Sequence, residues 1–363
     1  TSGTGAITQS GALTVDAAAT FTATGQNVTL ANVANDFKAG VAVAGANVSL
    51  IDANSIDLAA STVTGTYSVT AANGNITNSG DLGIAMASTF ITTVSGSNIS
   101  LNSSGNAFAD SVTLQAVAGA GTFGDITFVD SGAIDFKAAA AADGDLFINA
   151  ATDGVVGGSL SVSAAAGNIT QTIAIGAGTT SSFTTSGTGV INLNNTGNAL
   201  VGAVSLATGT GNATIDNGTT VLDFGTVTVG GNLDAQSDDN IKDTGIIMVT
   251  GTARFAADST ANKTIFLGSQ NVITGAVTLL TSGTGGDVIF DNGSTDLSLG
   301  TITVGGDLTL ETDATAAQAL SSITINGALS INVGGALTMA NATIFDAGSG
   351  TISVTSNGDM TLG

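Results

Sequence analysis

Three short segments recur in the same order along this chain of 363 residues, and their recurrence leaves few folds open. The first segment occupies residues 5–11, 74–80, 167–173 and 240–245. The second is marked by Asn35, Asn106, Asn198 and Asn271, and the third by Asp52, Asp130, Asp216 and Asp291. Successive marked asparagines lie 71, 92 and 73 positions apart, so the repeat is about 72 residues long with one enlarged copy.

Within each copy, apolar residues alternate with small polar residues over stretches of about five residues. These stretches end at Gly-Gly, Asn-Gly or Asp-Gly pairs, which is typical of short β-strands joined by tight corners. The superperiod predicts an all-β parallel β-helix, or β-solenoid, with coils of roughly 20 to 25 residues and three coils to a repeat. We expect one continuous solenoid over residues 1–363, with repeats at about 5–73, 74–166, 167–239 and 240–314 and a partial copy at 315–363.

The sequence contains no proline, although ordinary usage would give about 5 %. Proline has no N–H group to donate, so it is excluded from a backbone whose N–H groups are nearly all used in strand ladders. This absence favours an all-β fold over a helical one, because helices accept proline in their first turns. The alternative fold is a string of small antiparallel β-sandwiches of about 72 residues, which the lack of linkers and aromatic anchors disfavours.

The second segment is predicted to be a strand that ends at a corner. Alternation places Val28 and Leu30 of the first copy inside the coil. The marked asparagine follows at the corner, where Asn adopts left-handed backbone angles or hydrogen-bonds the neighbouring backbone. We expect a narrow interior of small aliphatic side chains with few aromatic ones, and a short helical excursion at residues 136–145.

The charge balance limits the partners that the chain can bind. It carries 27 acidic and five basic residues, a net charge of −22, which is too few cations to neutralise nucleic acid or an anionic membrane surface. No apolar run is long enough to form a membrane-spanning helix. The absence of cysteine excludes disulfides and thiolate zinc sites. Because the chain begins with Thr1, we expect a processed product or a piece of a longer protein.

Catalytic residues are sparse in the sequence. A polysaccharide-cleaving β-helix needs clustered carboxylates and basic residues to bind its substrate. Here the adjacent acidic pair is Asp238 and Asp239, the single Glu is Glu311, the single Arg is Arg254, and there is no histidine. We therefore predict that the chain is not an enzyme and that it has no catalytic residues.

Calcium is a weaker possibility for a cofactor, since carboxylates and corner carbonyls are the oxygen ligands that it prefers. The candidate ligands are Asp130, Asp216 and Asp291 in the third segment. Asp-Asn-Gly is first of all a turn sequence, however, and the calcium-binding nonapeptide pattern does not recur. We expect no obligatory cofactor.

With these segments set out, the chain resembles the repetitive shaft of filamentous-haemagglutinin-type exoproteins, the surface adhesins exported by two-partner secretion. The resemblance lies in phrases such as those of residues 33–80 and extends with decay over almost the whole chain. It implies a right-handed parallel β-helix, a location outside the cell or on the bacterial surface, and a role in adhesion, biofilm matrix or filament building.

The function expected from these features is a structural or adhesive rod. Its partners would be host or neighbouring cell surfaces, glycans or like chains, including head-to-tail association. Two alternatives remain open, a carbohydrate-active parallel β-helix enzyme and a self-polymerising extracellular filament subunit.

Overall fold

The computed structural model describes residues 5–116, 124–137, 145–148, 155–313, 316, 318–320, 323–339, 345–348 and 350–361. These residues form short strands and no helix, which confirms the predicted all-β fold. The chain divides into two compact units, unit 1 (Thr1–Thr185) and unit 2 (Ser186–Gly363). No helix in the described part is long and apolar enough to cross a membrane. The helical excursion expected at 136–145 falls largely outside the described residues.

Unit 1 contains 24 strands among its described residues, most of them two to five residues long. They are Ile7–Thr8 (β1), Thr14–Val15 (β2), Ala19–Thr22 (β3), Val28–Leu30 (β4), Asp36–Phe37 (β5), Val41–Gly45 (β6), Val48–Asp52 (β7), Ile56–Leu58 (β8), Ser61–Val63 (β9), Tyr67–Ala71 (β10), Ile76–Asn78 (β11), Leu82–Ile84 (β12), Ser88–Thr92 (β13), Ile99–Leu101 (β14), Ala107–Phe108 (β15), Val112–Ala116 (β16), Ile126–Asp130 (β17), Ile134–Phe136 (β18), Asp145–Ile148 (β19), Val155–Val156 (β20), Leu160–Ala164 (β21), Ile169–Gln171 (β22), Gly176–Ala177 (β23) and Ser181–Thr185 (β24).

Unit 2 contains 22 strands among the residues described there. They are Ile191–Leu193 (β25), Ala199–Leu200 (β26), Val204–Ala207 (β27), Ala213–Asp216 (β28), Leu222–Val229 (β29), Leu233–Gln236 (β30), Ile241–Asp243 (β31), Ile247–Val249 (β32), Ala253–Ala257 (β33), Ile265–Leu267 (β34), Val272–Ile273 (β35), Ala276–Thr281 (β36), Val288–Asp291 (β37), Leu297–Val304 (β38), Leu308–Thr312 (β39), Gln318–Leu320 (β40), Ile323–Ile325 (β41), Leu329–Val333 (β42), Leu337–Met339 (β43), Phe345–Asp346 (β44), Ile352–Ser356 (β45) and Met360–Thr361 (β46).

In unit 1 the strands stack as parallel ladders, each strand pairing with its counterpart in the next coil. One ladder runs through β4, β7, β10, β13 and β16, and another through β8, β11, β14, β17, β21 and β24. Val48 pairs with Tyr67, and Ser88 pairs with Val112, so one turn of the chain is close to the predicted coil length. The parallel pairing and this coil length confirm the predicted β-solenoid and exclude the antiparallel sandwich alternative.

Unit 2 is built in the same way. One parallel ladder runs through β28, β30, β33 and β36, and another through β31, β34, β37, β39, β42 and β45. The solenoid architecture has about 14 turns in total and a repeat of about 70 residues. The prediction of a single solenoid without interruption over 1–363 stays a prediction.

Alternation fills the interior of each unit as the sequence predicts. Strands such as β7 and β10 place every second side chain inside, and Val28 and Leu30 are at most 1 % exposed. Aromatic residues, by contrast, are not kept out of the core. Tyr67 and nine phenylalanines are buried there: Phe37, Phe90, Phe108, Phe128, Phe136, Phe183, Phe224, Phe255 and Phe290.

The buried rings stack from coil to coil within each unit. In unit 1 the ring centroids of Tyr67 and Phe90 lie 5.7 Å apart, and those of Phe108 and Phe128 lie 5.2 Å apart. Phe224 and Phe255 of unit 2 are 6.2 Å apart in an edge-to-face arrangement. These are favourable separations for aromatic pairs, so the interior is wider than the small-aliphatic packing expected from the sequence.

At the corners, glycines precede Asn or Asp residues that bind the next coil. In unit 2, Asn212 Oδ1 accepts the Asn232 N–H at 2.8 Å, and Asn232 Oδ1 accepts the Thr252 N–H at 2.9 Å. A Cβ on Gly251 would lie 2.6 Å from the carbonyl oxygen of Gly231. The corner therefore requires glycine because two backbones approach closely.

Ser88 provides a prediction about the core. Its inward position aligns with Tyr67 and Val112 on β10 and β16, and its side chain is buried with no hydrogen-bond partner in the described part of the chain. A buried hydroxyl without a partner is destabilising, so Ser88→Ala is expected to raise the free energy of unfolding by about 1 kcal/mol. Urea denaturation would measure the change. The exposed Ser79→Ala is the control, and an equal or lower stability of Ser88→Ala would contradict the expectation.

Candidate functional site

The four marked asparagines, which the sequence places at corners, are buried. Their exposed fractions are at most 2 %: Asn35, Asn106, Asn198 and Asn271. None of them has a positive φ, because the positive-φ residues other than glycine in the described part are Asn262 and Gln270. Of the two roles expected for the marked asparagine, the structure therefore shows hydrogen bonding to the neighbouring backbone and not a left-handed turn.

Asn106 shows how this residue is held. Its Oδ1 accepts hydrogen bonds from the Leu82 N–H in the preceding coil at 3.0 Å and from Asn78 Nδ2 at 2.8 Å. Its Nδ2 donates to the carbonyl oxygen of Leu101, five residues back, at 3.2 Å. One amide thus satisfies backbone groups of two coils in a place that water does not reach.

The same bonds recur in the first copy. Asn35 Oδ1 accepts the Leu13 N–H at 2.9 Å and Gln9 Nε2 at 2.7 Å, and Asn35 Nδ2 donates to the Leu30 carbonyl oxygen at 3.0 Å. Gln9 and Asn78 occupy the same position in their copies of the first sequence segment. The first segment therefore supplies the partner of the marked asparagine from one coil earlier.

In the fourth copy the partner is an aspartate. Asn271 Oδ1 accepts the Ile247 N–H at 2.8 Å, and Asn271 Nδ2 donates to Asp243 Oδ2 at 2.9 Å and to the Leu267 carbonyl oxygen at 3.3 Å. Asp243 also belongs to the first segment. The arrangement thus persists although Gln, Asn and Asp exchange at its first position.

The third segment completes the arrangement from one coil later. In every copy a buried side-chain oxygen accepts the N–H of the residue two positions after the marked asparagine, at 2.7 to 3.2 Å. The accepting and donating residues are Asp52 and Phe37, Asp130 and Phe108, Asn217 and Leu200, and Asn292 and Ile273. We call the first-segment residue, the marked asparagine and this third-segment residue a three-coil lock.

The lock corrects the sequence interpretation of the third segment. The third sequence segment predicts Asp216 and Asp291 as counterparts of Asp52 and Asp130, but the buried counterparts are the next residues, Asn217 and Asn292. Asp216 Oδ1 and Asp291 Oδ1 instead accept the N–H of the glycine two residues later, at 2.8 and 2.7 Å. The two aspartates therefore stabilise the turn, and the asparagines that follow them enter the lock.

The lock also accounts for the length of the repeat. Its three members come from three successive coils, so the same polar residue recurs in every third coil rather than in each one. Three coils of the observed length add up to the spacing of the sequence segments along the chain.

The calcium candidates Asp130, Asp216 and Asp291 are not brought together. Asp130 is 3 % exposed and accepts a backbone N–H. Burial, and then the charges of Asp313 and Asp243, raise the pKa of Asp291. In the described part of the chain no three acidic side chains are grouped closely enough to hold a metal ion. Calcium binding stays an untested prediction.

The adjacent carboxylates Asp238 and Asp239 point to different partners. Asp239 Oδ1 accepts a hydrogen bond from Lys263 Nζ at 2.9 Å, and this bond lowers the pKa of Asp239. Ser259 Oγ donates to Asp238. A general acid at neutral pH needs a raised pKa, so the lowered pKa of Asp239 does not suit it to that role.

The five cations of the chain are each held by an aspartate. Four of the five pairs join side chains of neighbouring coils. The pairs are Lys38 with Asp16, Lys137 with Asp135, Lys242 with Asp223, Arg254 with Asp234 and Lys263 with Asp239. The side chains are partly exposed, so water weakens each pair, and the acidic excess stays uncompensated.

An open groove of about 510 Å³ lies on unit 1. Its walls include Asp36, Lys38, Asn54 and Asp57, and Asn54 Nδ2 donates to Asp36 Oδ1 at 3.2 Å. No sequence motif marks this groove, because its residues come from successive coils and are not adjacent along the chain. Carboxylate and amide groups in such a groove are able to hydrogen-bond a polar ligand.

A protein-family model described as Repeats of unknown function (DUF5649) matches residues 1–44, 45–115, 123–207 and 210–280. The four matches cover about three quarters of the chain. No curated protein and no solved structure matches the chain significantly. The family description names no adhesin, so it supports a repeat protein and leaves the likeness to filamentous haemagglutinins as a hypothesis.

Proposed function

The chain belongs to the DUF5649 family of repeats of unknown function, and from that premise we propose that it is a structural and adhesive segment of a large bacterial surface or secreted protein. The observation that carries the proposal is the three-coil lock. The polar residues that recur in the sequence are buried and hydrogen-bonded to backbone groups, so the repetition preserves the stacking of coils.

The mechanism that we propose is geometric. Parallel ladders satisfy the backbone from coil to coil, and the locks fix three coils at a time, so the chain extends by whole repeats. The acidic excess keeps neighbouring chains apart in solution. Such a segment would separate a binding region from the cell that carries it. The ladders also offer a source of stability outside the cell that needs no disulfides.

The spacer role predicts that unit 1 tolerates the deletion of a whole repeat better than the deletion of a single coil. Deleting residues 36–106 joins Asn35 to Ala107, so Phe108 and Asp130 take the places of Phe37 and Asp52. We expect this variant to fold cooperatively, as shown by a single sharp thermal transition of unit 1. Deleting residues 48–66 removes one coil with Asp52 and leaves the Phe37 N–H without its acceptor. We expect that variant to lose several kcal/mol of stability. Equal stability of the two variants would contradict the proposal that the chain extends by whole repeats.

Adhesion is tested separately, on a panel of bacterial and host cells and a glycan array. We expect the purified chain to bind and to leave acidic and neutral polysaccharides uncleaved. Asn54→Ala with Asp57→Ala tests the groove of unit 1, and the exposed Asn102→Ala is the matched control. Cleavage that disappears in Asp238→Asn and Asp239→Asn would instead establish the carbohydrate-active alternative.

A further inference from the structure

The third position of the lock differs chemically between the two units. It is a carboxylic acid in unit 1, at Asp52 and Asp130, and a carboxamide in unit 2, at Asn217 and Asn292. All four side chains are at most 3 % exposed, and all accept the same backbone N–H from the preceding coil. The two units therefore differ in whether this buried group can gain or lose a proton.

The amide also donates, which an ionised carboxylate cannot do. Asn292 Nδ2 donates to the carbonyl oxygens of Ile273 at 3.0 Å and Asp296 at 3.2 Å. Asp52 accepts the Phe37 and Asn54 N–H groups, both at 2.7 Å. When Asp52 binds a proton it gains a donor and loses a buried charge, so that it becomes neutral like the amide of unit 2.

We propose that Asp52 makes the lock of unit 1 proton-responsive, so that acidification tightens the contact between its second and third coils. The amide of Asn217, at the same position in unit 2, does not respond. This is a conformational device that goes beyond the structural role, and it depends on neither adhesion nor a particular partner.

The neighbours of Asp52 set the direction of the response. Burial is the main cause that raises the pKa of Asp52; the hydrogen bonds from the Phe37 and Asn54 N–H groups lower it in part, and the charge of Asp36 in the preceding coil raises it further. Lys38 Nζ lies 4.0 Å from Asp36 Oδ2 and forms a closer ion pair with Asp16, so its charge is directed at these two aspartates. On β10, the strand of the next coil that pairs with β7, Ala71 lies opposite Asp52, and Tyr67 lies opposite Val48 with a pKa that burial raises.

The sign follows from proton linkage. Because the pKa of Asp52 is higher in the folded than in the unfolded chain, folding takes up a proton as the pH falls. Stability is gained as the pH drops below the folded pKa and levels off near the unfolded value of about 3.9. Each unit of pKa difference corresponds to about a tenfold change in the opening equilibrium.

The experiment measures hydrogen exchange of the Phe37 amide in the full chain between pH 7 and pH 4.5, corrected for the intrinsic exchange rate. We expect the protection of Phe37 to rise several-fold on acidification and to be independent of pH in Asp52→Asn. A carbon NMR titration of Asp52 should give a midpoint above about 3.9. The Leu200 amide in unit 2, which Asn217 accepts, should show no such rise.

Two further variants isolate the effect. Asp57→Asn, a partly exposed acid in the same coil, should keep the pH response. Asn217→Asp should bring a pH response to Leu200. The proposal is overturned if Asp52→Asn keeps the response at Phe37, or if Asp52 titrates at or below the ordinary value.

Discussion

Replacing Asn106 with alanine is expected to lower the free energy of unfolding of unit 1 by about 3 kcal/mol. The substitution leaves the Leu82 N–H and the Leu101 carbonyl oxygen without the partners that now lie at 3.0 and 3.2 Å. Asn106 is fully buried, so water cannot replace the amide without opening the corner. A buried donor without a partner costs about 1 to 3 kcal/mol, and the lost acceptor bond and the cavity add to this.

Urea denaturation followed by circular dichroism measures the change. Asn102→Ala is the matched control, because Asn102 is exposed in the same turn and should change stability by less than about 0.5 kcal/mol. Asn106→Asp keeps the shape but cannot donate to Leu101, and it places a charge in the lock. It should therefore also destabilise the unit. If Asn106→Ala lowers the free energy of unfolding no more than Asn102→Ala does, the lock does not hold the coils together.

The sequence was sufficient to predict the solenoid because the information for it is local. Alternation shows that Val28 and Leu30 point inward, and the glycine-containing corners give the coil length. The meeting of Gln9 with Asn35 could not be predicted in the same way. Those residues are 26 positions apart, and their contact depends on the number of residues in the intervening corner. Spacing alone indicated that the segments recur, but not that they touch.

The Asp-Asn-Gly corners show a second limit. Either polar residue of the pair could point inward, and one step of register decides which. The structure places Asn217 inside with four hydrogen bonds, whereas Asp216 turns outward to bond Gly218. The spacing of the sequence segments predicts Asp216 and Asp291 as the counterparts of Asp52 and Asp130, and strand pairing in three dimensions was needed to identify Asn217 and Asn292 instead.

The sequence did not show where the aromatic residues lie. They make up 4 % of the chain, and a narrow interior is expected to hold few of them. Phe90 and Phe128 nevertheless lie fully inside. Composition gives the number of aromatic rings in the chain, whereas the position of each ring along its coil decides whether the ring lies in the core. Rings from successive coils then pack edge to face and fill the space that small aliphatic side chains would leave empty.

Gly251→Ala is expected to destabilise unit 2 by about 3 kcal/mol, although it adds a single methyl group. The new Cβ would lie 2.6 Å from the Gly231 carbonyl oxygen, 2.8 Å from the Gly231 carbonyl carbon and closer still to Asn232 Oδ1. A backbone cannot move aside as a flexible side chain does, so the two coils must separate. Separation weakens the bond from the Thr252 N–H to Asn232, and overpacking of this kind costs about 1 to 3 kcal/mol before that loss.

The control is Gly268→Ala in the same unit, where the nearest atoms to an added Cβ belong to the Phe266 ring at 3.5 Å and φ is not positive. That variant should be neutral or slightly stabilising, because alanine restricts the unfolded chain more than glycine does. Thermal unfolding of both variants gives the comparison. Equal transition temperatures would mean that the corners of unit 2 are loose enough to admit a side chain. The recurrence of glycine before the corner asparagines would then need an explanation other than close stacking.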